Sequence, residues 1–212
     1  MKTLNIQITT DFICPWCWIG EEKLERAIEA SKFAGNTHLT FVPYLLNPNM
    51  PVEGKDRKEY RTSKFGSWVH SQAMDAQVTQ AGKASGLIFN YDVVEKTPNT
   101  LAAHRLVWRQ QVNSGNATEM VKAIFNAYFS EGRDIGDLEV LADIAATFGQ
   151  DQEDTLSFLK SSEGTDEILQ QVTDVSRAGV HSVPSVSIEG RVVSGAQPVE
   201  IFAGILKQAK AV

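Results

Sequence analysis

Thr9-Thr10-Asp11-Phe12-Ile13-Cys14-Pro15-Trp16-Cys17-Trp18-Ile19-Gly20 carries two changes at once. The hydrophobic period switches from strand-like to helix-like, and the chain's 2 cysteines fall at the switch. Before it, Leu4, Ile6 and Ile8 alternate with Asn5, Gln7 and Thr9, the period of two that marks a strand. After it, Ile19, Leu24, Ala27, Ile28 and Phe33 give a helix its apolar face to about Lys32, with Gly35-Asn36 as the stop. His38 to Leu46, rich in aromatic and branched residues, is expected to be a second strand. Strand, helix and strand in this order build a parallel pair through a right-handed crossover.

The junction has a chemical reading. Cys14 would stand at the N-cap of the helix, where free N–H groups and the helix dipole favour an anion, so its thiolate, the reactive form, is favoured there. Pro15 suits the first helical position, where its missing N–H costs nothing. Cys17, one turn on and mostly buried, can close a disulfide with Cys14. Cys14 can then attack a substrate disulfide and Cys17 can resolve the mixed disulfide. The plainer alternative is two structural cysteines or half a metal site. His38, His70, His104 and His181 are scattered and supply no second ligand pair, so no metal is expected. The strand before, the helix after and the Pro between all favour a thioredoxin-like redox pair.

Composition narrows the function classes. The 212 residues are 42% hydrophobic and 22% charged, as in ordinary globular domains. Lys plus Arg is 20 and Asp plus Glu 26, a net charge of −6, with no basic block to suit nucleic acid or an anionic membrane. No apolar run approaches the roughly 20 residues of a membrane helix. The alternating start lacks the apolar core of a signal peptide, and a cytoplasmic location is expected.

Beyond the opening unit, Asn47-Pro48-Asn49-Met50-Pro51 is turn chemistry. From Asp56 to Ala178 only helical patterns are expected. They cover Arg57–Phe65, Ser67–Ser85, Asn99–Asn113, Thr118–Ser130, Asp137–Phe148, Asp151–Lys160 and Thr165–Ala178. In the third of these, Leu101, Ala102, Leu106, Trp108 and Val112 are the expected buried positions; in the fourth, Met120, Val121, Ile124, Phe125 and Tyr128. Ser185–Glu189 and Val192-Val193-Ser194 then form a hairpin around a turn at Gly190-Arg191, and Val199, Phe202, Ile205 and Leu206 mark a closing helix begun by Pro198. The predicted fold is α/β: a thioredoxin fold, β-α-β followed by α-β-β-α, interrupted by a large all-helical insertion. Residues 1–46 and 165–212 would form the thioredoxin-like part and 47–164 the insertion.

The hairpin is preceded by Val180-His181-Ser182-Val183-Pro184. A Pro before a strand is often an entry residue only. In a thioredoxin fold the same place holds a cis proline beside the reactive cysteine, and the residue before it, here Val183, offers its backbone to an extended substrate.

At this point the chain resembles a known family. Asp11 to Gly20, Leu46-Asn47-Pro48-Asn49-Met50-Pro51, Asn99-Thr100-Leu101-Ala102-Ala103-His104-Arg105-Leu106, Ala127 to Ile135, Gly179 to Pro184 and Ser194-Gly195-Ala196-Gln197 together resemble the FrnE-like branch of the DsbA family. Those proteins are thiol-disulfide oxidoreductases, and the resemblance runs over nearly the whole chain. It implies disulfide exchange, with Cys14 attacking and Cys17 resolving, on a disulfide-containing protein or a small thiol. The wider group holds kappa-class glutathione transferases and hydroxychromene-carboxylate isomerases, which typically carry Ser where Cys14 stands. The departure favours redox chemistry over the isomerase. The same group suggests a place for glutathione as co-substrate, with no cofactor bound. Its backbone would pair with Val183, and its γ-glutamyl carboxylate would approach the helix start at Gly195-Ala196-Gln197. A plain turn and cap is the alternative there.

The remaining residues are weighed individually. Pro15 and Trp16 would shape the substrate surface, with Trp16 exposed and Trp18 in the core. His181 and His104 are candidates for tuning the thiols, although a helical His more often plays a structural part. Asp11 would serve as a cap. Phe12, Tyr44, Trp68 and Phe89 would line a groove or, more commonly for aromatics, fill the core. A non-enzymatic client-binding module is a further alternative, and the chain would be a monomer or homodimer.

Overall fold

The computed structural model describes residues 3–209. Strand β1 (Leu4–Thr10) leads into helix α1 (Pro15–Glu29), and β2 (Thr37–Pro43) follows. Leu4, Ile6 and Ile8 are buried while Asn5 and Gln7 are exposed, so the period of two is what seats the strand. The alternation then stops, and Thr9, Thr10 and Asp11 are all buried.

Two boundaries differ from the pattern. Helix α1 ends at Glu29 rather than near Lys32, because the Ser31 hydroxyl donates to the Ile28 carbonyl and turns the chain before Gly35 is reached. Strand β2 stops at Pro43 rather than Leu46, because the Asp11 carboxylate takes the Leu46 N–H at 2.7 Å and draws the chain off the sheet.

The long stretch between β2 and the hairpin is not purely helical. A short ribbon, β3 (Lys55–Asp56) with β4 (Lys96–Thr97), pairs Lys55 opposite Thr97. Around it stand α2 (Arg57–Phe65), α3 (Trp68–Ala84), a 3-10 turn at Tyr91–Val93, α4 (Leu101–Ser114), α5 (Thr118–Phe129), α6 (Leu138–Ala146), α7 (Gln152–Lys160) and α8 (Thr165–Arg177). Asp56, Ser67, Asp137 and Asp151 cap four of these helices with their side chains. Helix α4 turns a different face inward than its apolar spacing suggests. Ala103 through Val107 are buried, whereas Val112 is 65% exposed. Arg105 explains the rotation: its guanidinium donates to the carbonyls of Phe158, Leu159, Ser161 and Glu163, at and just beyond the C-terminal end of α7.

The chain closes with β5 (Ser185–Ile188), β6 (Arg191–Ser194) and α9 (Val199–Gln208). The hairpin turn is Glu189-Gly190, both with positive φ (48° and 79°), and Arg191 already belongs to β6. Two positive φ values are what a tight hairpin with right-handed twist requires.

The main sheet has the order β2-β1-β5-β6, with β1 parallel to β2 and the other neighbours antiparallel. This is a thioredoxin fold with a helical insertion. Ile6 sits opposite Leu39 on one side and Ile188 on the other. Helices α1 and α9 pack together, with Ile19, Leu24, Phe202 and Leu206 buried in the same core as β1. At the β2 edge the Gln111 side-chain amide behaves as a piece of strand: it accepts the Phe41 N–H at 2.6 Å and donates to the Phe41 carbonyl at 3.1 Å. Among the described residues no helix is long and apolar enough to cross a membrane.

Candidate active site

Cys14 is the N-cap of α1, with extended φ and ψ of −94° and 106° and Pro15 in the first turn. Its N–H is held by the Asp11 carbonyl at 2.9 Å, and its own carbonyl takes the Cys17 N–H at 3.0 Å. These two bonds fix the entry to the helix, and the Cys14 sulfur faces the C-terminal part of the chain. There the Val183-Pro184 bond is cis, and the Val183 carbonyl stands 3.7 Å from Cys14 Sγ. Both cysteines are free thiols, 6% and 1% exposed.

The two thiols live in different surroundings. Burial pushes the Cys17 thiol well up, and the neighbouring Cys14 pushes it further; the Thr10 hydroxyl and the Asp11 N–H pull the other way without prevailing. Cys17 therefore rests protonated behind Cys14. Trp16, between them, is 41% exposed, while Trp18 is buried with its ring 5.1 Å from Phe89 and stacked against Phe125 and Phe129. Alternate members of this helical turn thus face solvent and anchor to α5. Phe12 and Phe89 belong to the same buried cluster, whereas Tyr44 and Trp68 are half-buried.

Gly20 brings α1 to the far wall of the site. A Cβ there would lie 3.0 Å from Pro184 Cγ and 3.3 Å from Ala196 Cα. The Gly195 N–H donates to the Pro184 carbonyl, the Gln197 N–H to the Gly195 carbonyl, and the Gln197 side chain to the Ser194 carbonyl, each at 2.8 Å. Lys23 reaches over from α1 to the Ala196 carbonyl at 3.3 Å. The structure thus brings Pro184, Gly195, Ala196 and Gln197 together beside α1. Lys23 was not marked by the sequence, and Gly20 entered only as the end of the family-like stretch, because a Gly and a Lys inside a helix carry no signal of a partner far along the chain.

The two candidate histidines part company. His181 is exposed in the loop before Val183. His104 is buried, its Nε2 3.5 Å from Asp11 Oδ1 and its ring 4.9 Å from Phe12. Asp11 is no helix cap: its side chain is fully buried, accepts the Leu46 N–H and lies beside His104, while Cys14 occupies the cap position. Sequence spacing gave no link between positions 11 and 104. Glu21, one turn beyond Cys17, is a second buried acid the sequence did not mark. It is 3% exposed, and burial pushes its carboxyl well above the usual range, against the pull of Lys122. Among the described residues no group of three His, Cys, Asp or Glu side chains is placed to hold a metal ion.

The DSBA-like thioredoxin domain profile matches residues 5–207. The chain belongs to this DsbA-like family. It is 25% identical over 202 residues to the uncharacterized protein YwbO of Bacillus subtilis, covering 94% of each chain. Among solved structures it resembles a probable DsbA oxidoreductase from Streptomyces coelicolor, with TM-score 0.87, 24% identity and coverage of 97% and 89%. It also resembles the cytosolic disulfide reductase DsbM from Pseudomonas aeruginosa, determined with GSH, with TM-score 0.67, 17% identity and coverage of 97% and 98%.

Proposed function

We propose that the protein is a dithiol-disulfide oxidoreductase of the FrnE-like branch, working in the cytoplasm through Cys14 and Cys17. The observation that carries this reading is the pairing of Cys14, at a helix N-terminus and 3.7 Å from the Val183 carbonyl, with a fully enclosed Cys17 behind it. The Cys14 thiolate attacks one sulfur of a substrate disulfide, forming a mixed disulfide and releasing the first substrate thiolate. Cys17 then gives up its proton, and its thiolate attacks the Cys14 sulfur. The Cys14–Cys17 bond forms, the second substrate thiolate leaves, and both released thiolates take up protons. The substrate gains two electrons and the protein loses two; the reverse sequence oxidises a dithiol.

The substrate is a disulfide-containing protein or a small thiol, docked with its backbone along Val183 and its side chains against Pro15 and Trp16. Glutathione is the candidate co-substrate, its carboxylate near Gly195, Ala196 and Gln197. The likeness to DsbM, which was determined with GSH, supports this. The test is to equilibrate the protein across ratios of reduced to oxidised glutathione, trap the thiols and read masses. A single two-electron transition to the Cys14–Cys17 disulfide is the expected result. A persistent single-glutathione adduct on Cys14 with no internal disulfide would overturn it in favour of a glutathione-dependent isomerase or transferase.

A further inference from the structure

Away from the thiols, a second cleft opens in the helical insertion, between α2, α3 and the 3-10 turn. Its volume is about 290 Å³, at the small end of ligand sites. Arg57, Asp75 and Phe89 form its buried floor, and Trp68 and Tyr91 its half-buried walls. None of these residues belongs to the thiol site. The floor meets α1 through the Phe89 ring, 5.1 Å from that of Trp18.

The floor sets two cations on one anion. Asp75 gives one oxygen to Arg57 Nη2 at 2.7 Å and the other to Arg61 Nη2 at 3.0 Å. The Arg57 side chain is only 4% exposed, yet its Nε and Nη1 have no hydrogen-bond partner among the described residues. The guanidinium carbon lies 4.8 Å from the Tyr91 ring centre and 5.6 Å from that of Trp68. Those rings hold the fork in place and supply no net charge. Burial holds the neighbouring Arg61 guanidinium below its ordinary value; Asp75 opposes this and the Arg57 charge adds to it. A buried cation is costly unless it is paired. A carboxylate accepting from the remaining Arg57 donors would supply the missing charge. Asp92, the other acid lining the cleft, is exposed, where solvent screens it.

We propose that this cleft is a binding site for a small aromatic carboxylate, its ring against Trp68 and Tyr91 and its carboxylate on Arg57. Binding there involves no redox step and is independent of the cysteines.

The experiment is calorimetric titration of the wild-type protein with benzoate, followed in parallel by tryptophan fluorescence. Saturable binding at about 1 mM is expected, the range open to so small a ligand. Benzyl alcohol, which keeps the ring and loses the charge, is expected to bind at least about tenfold more weakly. Acetate, which keeps the charge and loses the ring, is expected to weaken by at least about tenfold as well. Trp68→Phe keeps an aromatic wall, so it is expected to retain the heat of binding and lose the fluorescence change. Arg57→Lys keeps the charge without the fork and is expected to weaken benzoate about tenfold. Should Arg57→Lys fail to fold, Trp68→Ala, which removes a half-buried wall, must weaken benzoate by at least about fivefold. An absence of saturable heat up to about 20 mM benzoate overturns the assignment by showing no site. Benzyl alcohol binding as tightly as benzoate overturns it by showing an apolar hollow only. A fluorescence change absent from the wild type, or surviving in Trp68→Phe, overturns it by seating the ligand elsewhere, and an unchanged affinity in Arg57→Lys does so by removing the carboxylate's partner.

Discussion

A single carbon added at position 20 would meet Pro184 Cγ at 3.0 Å and Ala196 Cα at 3.3 Å. Neither neighbour is the free end of a flexible side chain. Gly20→Ala is expected to lower stability by about 1–3 kcal/mol in denaturant unfolding, the ordinary cost of overfilling a packed contact. Glu21 gives a pH-dependent counterpart. Its folded-state carboxyl is raised, by burial first, with Glu25, Glu119 and Glu22 adding to the effect and Lys122 opposing it. A raised acid binds its proton more tightly folded than unfolded, so above the unfolded value of about 4.3 the folded state is progressively penalised. The expected outcome is that Glu21→Gln unfolds at higher denaturant than wild type at pH 8, and that the two converge below pH 4. Equal midpoints at pH 8 would show that Glu21 ionises without penalty. The cysteines and Pro184 were legible as residues because their chemistry is carried in a local motif. Glu21 was not, and Asp11 and His104 were singled out without their proximity to each other, because a buried polar group is defined by what surrounds it, and those neighbours come from other elements.

Helix and strand periods identified nearly every element, and three of the details that escaped them have plain physical reasons. The β3–β4 ribbon has two residues per strand, too few to show alternation. Strand β2 ends early because a side chain from outside it, Asp11, takes the Leu46 N–H. Helix α4 buries His104 and Arg105 where an apolar stripe predicts Trp108 and Val112, since the carbonyls beside α7 are there to receive a guanidinium. At this level Gln111 is the informative substitution. Gln111→Leu removes both bonds to Phe41 and leaves backbone groups of β2 without their partner. The expected loss is about 1–3 kcal/mol, together with faster amide exchange confined to the middle of β2. Exchange that rises evenly over the sheet would show that the amide braces the whole fold instead of one edge. Trp18→Ala, which empties the space between Phe89, Phe125 and Phe129, is expected to cost about 3–5 kcal/mol and to be read as a lowered melting temperature.

For the whole molecule, the split of the sheet between the two ends of the sequence was legible because strand signals open the chain and return only in the closing hairpin, after a long helical stretch. That split also sets a clock. Cys14 and the Val183 carbonyl beside it are 169 residues apart, and β1 pairs with β5 over a similar gap. At about 5–20 residues per second, a ribosome takes roughly 10–35 s to add the missing wall after the thiols have been made. During that interval the pair exists without the loop that shapes its specificity. A chain halted before β5 is therefore expected to be alkylated at both cysteines at the rate of an unfolded thiol, whereas in the finished protein Cys17 resists. The newborn protein is thus itself an open target for the thiol chemistry it will later direct at others.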